Sequence, residues 1–112
     1  DMLLLSNVMR SGVTSLAKSL SQQLAGEGIR VNNLVPGAIN TDRLRGLMQT
    51  QSERTGVPFE EISKARAATV PMGRFGEADE FGQGGAFLLS DAAAYITGET
   101  LVVDGGAMRT VW

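Results

Sequence analysis

The first part of the chain carries apolar residues at helical spacing. They recur three or four positions apart and line one face, namely Val13, Leu16, Leu20 and Leu24. Ser6 or Asn7 can cap the start of such a helix, and Gly28 suits a left-handed stop at its end. The pattern predicts one amphipathic helix over residues 6–28.

A strand and a polar excursion follow this helix. Residues 29–35 (IRVNNLV) are short and rich in β-branched side chains, and Pro36-Gly37 ends them abruptly, which predicts a strand. A long helix that runs through a short turn into a strand is half of a βαβ unit, so we expect a parallel sheet. Residues 41–70 are more polar and predict two small helices on a binding loop rather than a plain connector.

The last part of the chain repeats the helix–strand order. Residues 77–90 predict a helix whose glycines, Gly82, Gly84 and Gly85, indicate close packing against a neighbouring backbone. Residues 99–104 (ETLVVD) predict a final strand before the turn Gly105-Gly106. The elements together predict an α/β fold.

Composition removes several classes of function. The chain has 112 residues and a net charge of −2, with its lysines and arginines scattered, which argues against a nucleic-acid surface. No apolar run approaches the roughly 20 residues that span a bilayer, so we expect a cytoplasmic protein without a membrane partner. Because the chain contains no cysteine and no histidine, thiolate chemistry, a Ser-His-Asp arrangement and metal sites with cysteine or histidine ligands are excluded within it, and we expect no metal.

Three separated segments resemble the short-chain dehydrogenase/reductase family. They are residues 29–41 (IRVNNLVPGAINT), 71–80 (PMGRFGEADE) and 95–106 (YITGETLVVDGG). The start of the polar excursion is similar to a divergent branch that resembles 3-oxoacyl-carrier-protein reductases. The resemblance implies the C-terminal half of a single domain, in which a doubly wound parallel sheet of Rossmann type lacks its N-terminal nucleotide-binding half.

The resemblance also implies a cofactor site. Pro36 and Gly37 would end the strand at the edge where ligands of open α/β sheets bind, and Gly37 would let the backbone pass close to a planar ring. Ile39 would offer backbone groups to a carboxamide and Thr41 a hydroxyl, and together they would hold the nicotinamide of NAD or NADP. A strand-ending turn without a ligand is the alternative.

The chain departs from the family pattern at its proton-transfer residues. The family usually carries a tyrosine and, four residues later, a lysine, and the corresponding positions here are Ser6 and Arg10. Serine is a far poorer acid than a phenol, and arginine stays protonated. A helix cap for Ser6 and a solvated helix charge for Arg10 are equally open. Tyr95, the single tyrosine, is expected to pack rather than react.

Three functions therefore stay open. The first is a fragment of an NAD(P)-dependent oxidoreductase that acts on an alcohol or ketone. The second is a degenerate family member that binds a nucleotide or a partner without hydride transfer, and the third is an assembly module. The chain has no G-x-G-x-x-G turn, so we expect no tight cofactor binding by the chain alone. We expect a homo-oligomer, or pairing with the missing N-terminal half.

Overall fold

The computed structural model of the chain describes residues 2–110, with side chains from residue 4 onward. The helices and strands follow one another in an order of helix, strand, three helices and strand. They are α1 (Met2–Leu24), β1 (Asn33–Pro36), α2 (Asp42–Thr55), α3 (Phe59–Ala68), α4 (Ala78–Leu89) and β2 (Thr100–Val103), with short 3-10 turns at Ala25–Glu27 and Asp91–Ala93.

The two strands pair in parallel. The N–H of Asn33 donates to the carbonyl of Glu99 over 2.8 Å, and the N–H of Gly37 donates to the carbonyl of Val103 over 2.9 Å. Because the difference in residue number between donor and acceptor is the same at both bonds, the strands run in the same direction. The parallel pairing that the sequence predicts is confirmed.

The chain divides into two compact units, each with its own small core. The first unit is the described part of residues 1–35 together with 85–101, and the second is 36–84 together with the described part of 102–112. Buried residues in the first unit are Ala17, Ser21 and Ala93, and in the second they are Met48, Ile62 and Val70. The excursion at 41–70 therefore has a core of its own.

The first helix starts earlier than the sequence pattern predicts. α1 already includes Met2, so Ser6 lies inside the helix and the prediction that it caps the start is wrong. Methionine and leucine are strong helix formers, and the run of them before Ser6 continues the helix. At the other end, α1 stops at Leu24, and a 3-10 turn leads to Gly28, whose φ is 76°.

The first strand starts later than predicted, at Asn33 rather than at residue 29. Before that point side chains bond the backbone: Val31 N–H donates to the hydroxyl of Thr97 over 3.1 Å, and Glu99 N–H donates to the carboxamide of Asn32 over 3.0 Å. A regular ladder cannot form where side chains replace the carbonyl partners. α4 and β2 each begin and end one residue inside the predicted ranges, a difference typical of helix and strand ends.

The glycines of α4 differ from expectation. A Cβ added to Gly82 would have no heavy atom within 4 Å, and one added to Gly85 would meet a side-chain atom, Leu34 Cδ2, at 3.3 Å. The prediction that these two glycines admit a neighbouring backbone is therefore wrong.

Among the described residues, no helix combines the length and the apolar character that crossing a bilayer requires.

Candidate functional site

The loop that follows β1 is fixed by its neighbours in the second unit. The N–H of Gly37 donates to the carbonyl of Val103 at the end of β2. Gly37 also lies directly against Asp104, which leaves no room for a side chain at position 37. The Asp104 carboxylate in turn accepts the N–H groups of Gly106 and Met108, at 2.9 and 2.7 Å. The protein's own packing thus requires a glycine at this position, and the close approach of a planar ring to Gly37 stays a prediction.

The peptide groups on either side of Ile39 are oriented by Gly76. The Ala38 carbonyl accepts from Gly76 N–H over 2.9 Å, and Asn40 N–H donates to the Gly76 carbonyl over 2.8 Å, which makes a parallel bridge. In a planar trans peptide the N–H and C=O point in opposite directions. The N–H and the C=O of Ile39 itself therefore both point away from Gly76. They form an adjacent donor and acceptor on the far side of the loop.

Thr41 begins the next helix. Its hydroxyl oxygen accepts from Leu44 N–H over 3.2 Å and caps α2, and the residue is exposed. A threonine hydroxyl has one hydrogen to donate in addition to its two lone pairs. The capping bond therefore leaves the hydroxyl hydrogen available to an acceptor beside the loop.

A cleft with a volume of about 100 Å³ lies beside the bridge between Ile39 and Gly76. Its lining includes Ile39, Arg74 and Asp104. Pockets that enclose organic ligands usually measure about 300–1,000 Å³. This cleft is too small for a dinucleotide and suits a few water molecules.

An ion pair stabilises the approach to α4. Arg74 Nη1 and Nη2 donate to the two carboxylate oxygens of Glu80, at 2.7 and 2.9 Å, and Glu77 N–H donates to the same carboxylate over 3.0 Å. The Arg74 hydrogen bond, followed by that from Glu77, lowers the pKa of Glu80 from 4.5 to about 2. The bond with Glu80 raises the pKa of Arg74. Gly76 thus lies between Arg74 and Glu77, both of which donate hydrogen bonds to the Glu80 carboxylate.

Ser6 and Arg10 both lie on α1, in the first unit, whereas the loop from Pro36 to Thr41 belongs to the second. The Ser6 side chain is half-buried and Arg10 is exposed, in keeping with a solvated helix charge. Their spacing places them on one face of α1. Tyr95, which the sequence expects to pack, is fully exposed, so that expectation is wrong.

Two residues of the site carry no distinct signal in the sequence. Gly76 is one of many glycines, and only its place before an acidic helix start, in a segment used for the family resemblance, could have marked it. Asn40 also lies in such a segment, residues 29–41, but nothing there marks it as a contact residue, because its partners lie on other elements.

The family model described as enoyl-(acyl carrier protein) reductase matches residues 5–108. Among curated relatives, the 3-oxoacyl-[acyl-carrier-protein] reductase FabG of Escherichia coli (strain K12) is 45% identical over 97 residues, which are 87% of this chain and 35% of the relative.

Solved structures agree with these matches. A short chain dehydrogenase family protein from Francisella tularensis is 33% identical, with a TM-score of 0.85 over 89% of this chain and 41% of that one. The L-sorbose reductase of Gluconobacter frateurii, complexed with NADPH and L-sorbose, is 27% identical, with a TM-score of 0.87 over 94% of this chain and 40% of that one. The chain thus spans well under half the length of the relatives it matches.

Proposed function

The chain belongs to the short-chain dehydrogenase/reductase family, and from that premise we propose that it is part of a longer NAD(P)-dependent oxidoreductase acting on an alcohol or ketone. One observation carries the proposal. The N–H and C=O of Ile39 point together away from the Gly76 bridge, beyond the carboxyl end of a parallel strand. The L-sorbose reductase solved with NADPH supports a nicotinamide dinucleotide as the cofactor.

The proposed binding groups complement a nicotinamide carboxamide. A carboxamide has one carbonyl acceptor and one amino donor, and the Ile39 N–H and C=O offer the matching donor and acceptor. The Thr41 hydroxyl adds a donor next to them. Pro36 ends the strand and Gly37 holds the loop against Asp104. The nicotinamide, when bound, would accept or supply the hydride, while these residues bind and orient it.

A second function is favoured by one observation on α1. Ser6 and Arg10 stand where the family usually places its proton-transferring tyrosine and its lysine. A serine hydroxyl is too weak an acid for efficient proton transfer near neutral pH, and Arg10 cannot relay a proton. A family member that binds the dinucleotide without hydride transfer is therefore the competing proposal.

Binding and turnover measured on the same intact protein separate these functions. NADH and NADPH are titrated by cofactor fluorescence, and absorbance at the nicotinamide band is followed with a panel of ketones and alcohols. Binding with turnover supports the oxidoreductase, and binding without turnover supports the second function. An intact protein that binds neither dinucleotide would contradict both and leave an assembly role.

We also propose that the chain associates with a second copy or with the N-terminal half of the proposed longer protein. A stripe of apolar side chains on α1 is 58–66% exposed, comprising Leu5, Met9, Val13 and Leu16. Their spacing of three or four residues places them on one helix face. Contiguous exposed apolar surface of this kind is typical of an interaction face.

A further inference from the structure

Asn40 lies where three segments of the second unit meet. Its backbone N–H donates to Gly76 in the bridge. Its carboxamide oxygen accepts from Arg45 Nη1, in the first turn of α2, over 2.6 Å. Its Nδ2 lies 3.5 Å from both carboxylate oxygens of Glu77, which precedes α4. One residue thus ties the loop to the starts of two helices.

The contact with Arg45 is the stronger of the two side-chain contacts. It is short and its donor is charged, whereas the separation from Glu77 is at the long limit for a hydrogen bond. Arg45 is itself held by an ion pair with Asp42 on the same helix. The Asn40 side chain is therefore anchored mainly to α2.

The anchoring of Asn40 by Arg45 also restrains the peptide group between Ile39 and Asn40. The C=O of Ile39 and the N–H of Asn40 belong to one planar peptide group and must turn together. The Gly76 bond sets the plane from the N–H side, and the Arg45 bond restrains the rest of Asn40. A rotation that moved the Ile39 carbonyl would have to break one of these bonds.

We propose that Asn40 is a positioning residue for nicotinamide recognition. Its bonds to Arg45 and Gly76 fix the direction of the Ile39 carbonyl, so its side chain acts on the cofactor's carboxamide through that peptide. The inference rests on the proposed function, since it requires the Ile39 peptide to face the nicotinamide. It links Arg45, in the first turn of α2, to the loop of residues 36–41 that is proposed to bind the cofactor.

A positioning role and a general stabilising role differ in which ligand they affect. ADP-ribose, or its 2′-phosphate for an NADP-dependent protein, lacks the nicotinamide but keeps the rest of the dinucleotide. Loss of the Asn40 side chain should therefore weaken binding of the dinucleotide and spare ADP-ribose. Damage to the fold would weaken both ligands alike.

The test measures the Kd of both ligands for the intact protein and its variants. For Asn40→Ala we expect the dinucleotide Kd to rise about tenfold and the ADP-ribose Kd to stay within about twofold. Arg45→Ala should show the same selectivity, and the double variant should be no worse than either single one, because the two side chains act in series. Asn40→Asp combined with Glu77→Gln keeps an oxygen for Arg45 without bringing two carboxylates together, and it should retain most of the affinity.

The matched control is Gln49→Ala, because the Gln49 amide is exposed and donates to Glu53 within α2. It should leave both constants unchanged. Equal loss of the two ligands in Asn40→Ala and Arg45→Ala, or unchanged dinucleotide binding, would overturn the inference while leaving the proposed function standing. A wild-type protein that binds neither ligand would overturn both.

Discussion

Gly37 and Asp104 are in such close contact that a methyl group on the glycine would lie 2.5 Å from Asp104 Cβ and 2.6 Å from its Cα. Because Asp104 Cα is a backbone atom, rotating a side chain cannot relieve these contacts. The end of β1 is therefore locked against the end of β2, which fixes where the loop to Thr41 begins.

Gly37→Ala should consequently destabilise the protein strongly. Overpacking against backbone costs about 1–3 kcal/mol, and we expect the unfolding free energy to fall by an amount at the upper end of that range. The measurement is chemical denaturation followed by circular dichroism. Gly82→Ala is the control, because a Cβ there meets nothing within 4 Å. It should raise the unfolding free energy by roughly 0.5–1 kcal/mol through helix propensity. Equal unfolding free energies for Gly37→Ala and Gly82→Ala would contradict the close contact between Gly37 and Asp104.

The Arg74–Glu80 ion pair gives a pH dependence with a defined sign. The pKa of Glu80 is lowered from 4.5 to about 2. Its contribution to stability is thus present above pH 4.5 and lost as the pH falls toward 2. Glu80→Gln can still accept the Glu77 N–H but cannot form the ion pair. We expect this variant to be less stable than wild type near neutral pH and to converge with it in strong acid. A constant difference at all pH values would exclude the mechanism.

Short-range signals explain what the sequence predicts well. Pro36-Gly37 ends a strand whatever surrounds it, and the apolar spacing of α1 depends only on helical geometry. The expected Rossmann-type class, with its parallel strands, is confirmed by the solved relatives.

Long-range contacts explain what the sequence could not predict. The start of β1 depends on Thr97, far along the chain, and the contact that excludes a side chain at Gly37 comes from Asp104. Asn40 resembles any loop asparagine until Arg45 and Gly76 are placed beside it. Such partners become visible only when the elements are assembled.

The Ser6 and Arg10 positions predict a gain of activity. Ser6→Tyr combined with Arg10→Lys should raise dehydrogenase turnover of the intact protein, because a phenol beside an ammonium group is a stronger acid than serine. Ser6→Tyr alone should gain less. Initial rates are compared after circular dichroism has established that each variant folds. High turnover by the unmodified protein that is unaffected by Ser6→Ala would show that the proton moves elsewhere.

The exposed stripe on α1 predicts self-association of the 112-residue chain. Light scattering at micromolar concentration should report a dimer or a larger species. Val13→Glu places a charge within the stripe and should weaken the assembly, whereas Thr14→Glu, beside it on the helix, should have a smaller effect. A monodisperse monomer would contradict the proposed association.

The central claim is that the Ile39 peptide holds the nicotinamide, and its amide signal reports this most directly. The intact protein is labelled with isotopic isoleucine, the Ile39 resonance is assigned by Ile39→Val, and NAD(P)(H) or ADP-ribose is added. We expect the dinucleotide to shift the Ile39 amide markedly and ADP-ribose to shift it little. An Ile39 signal that stays in place while the dinucleotide binds would contradict the claim.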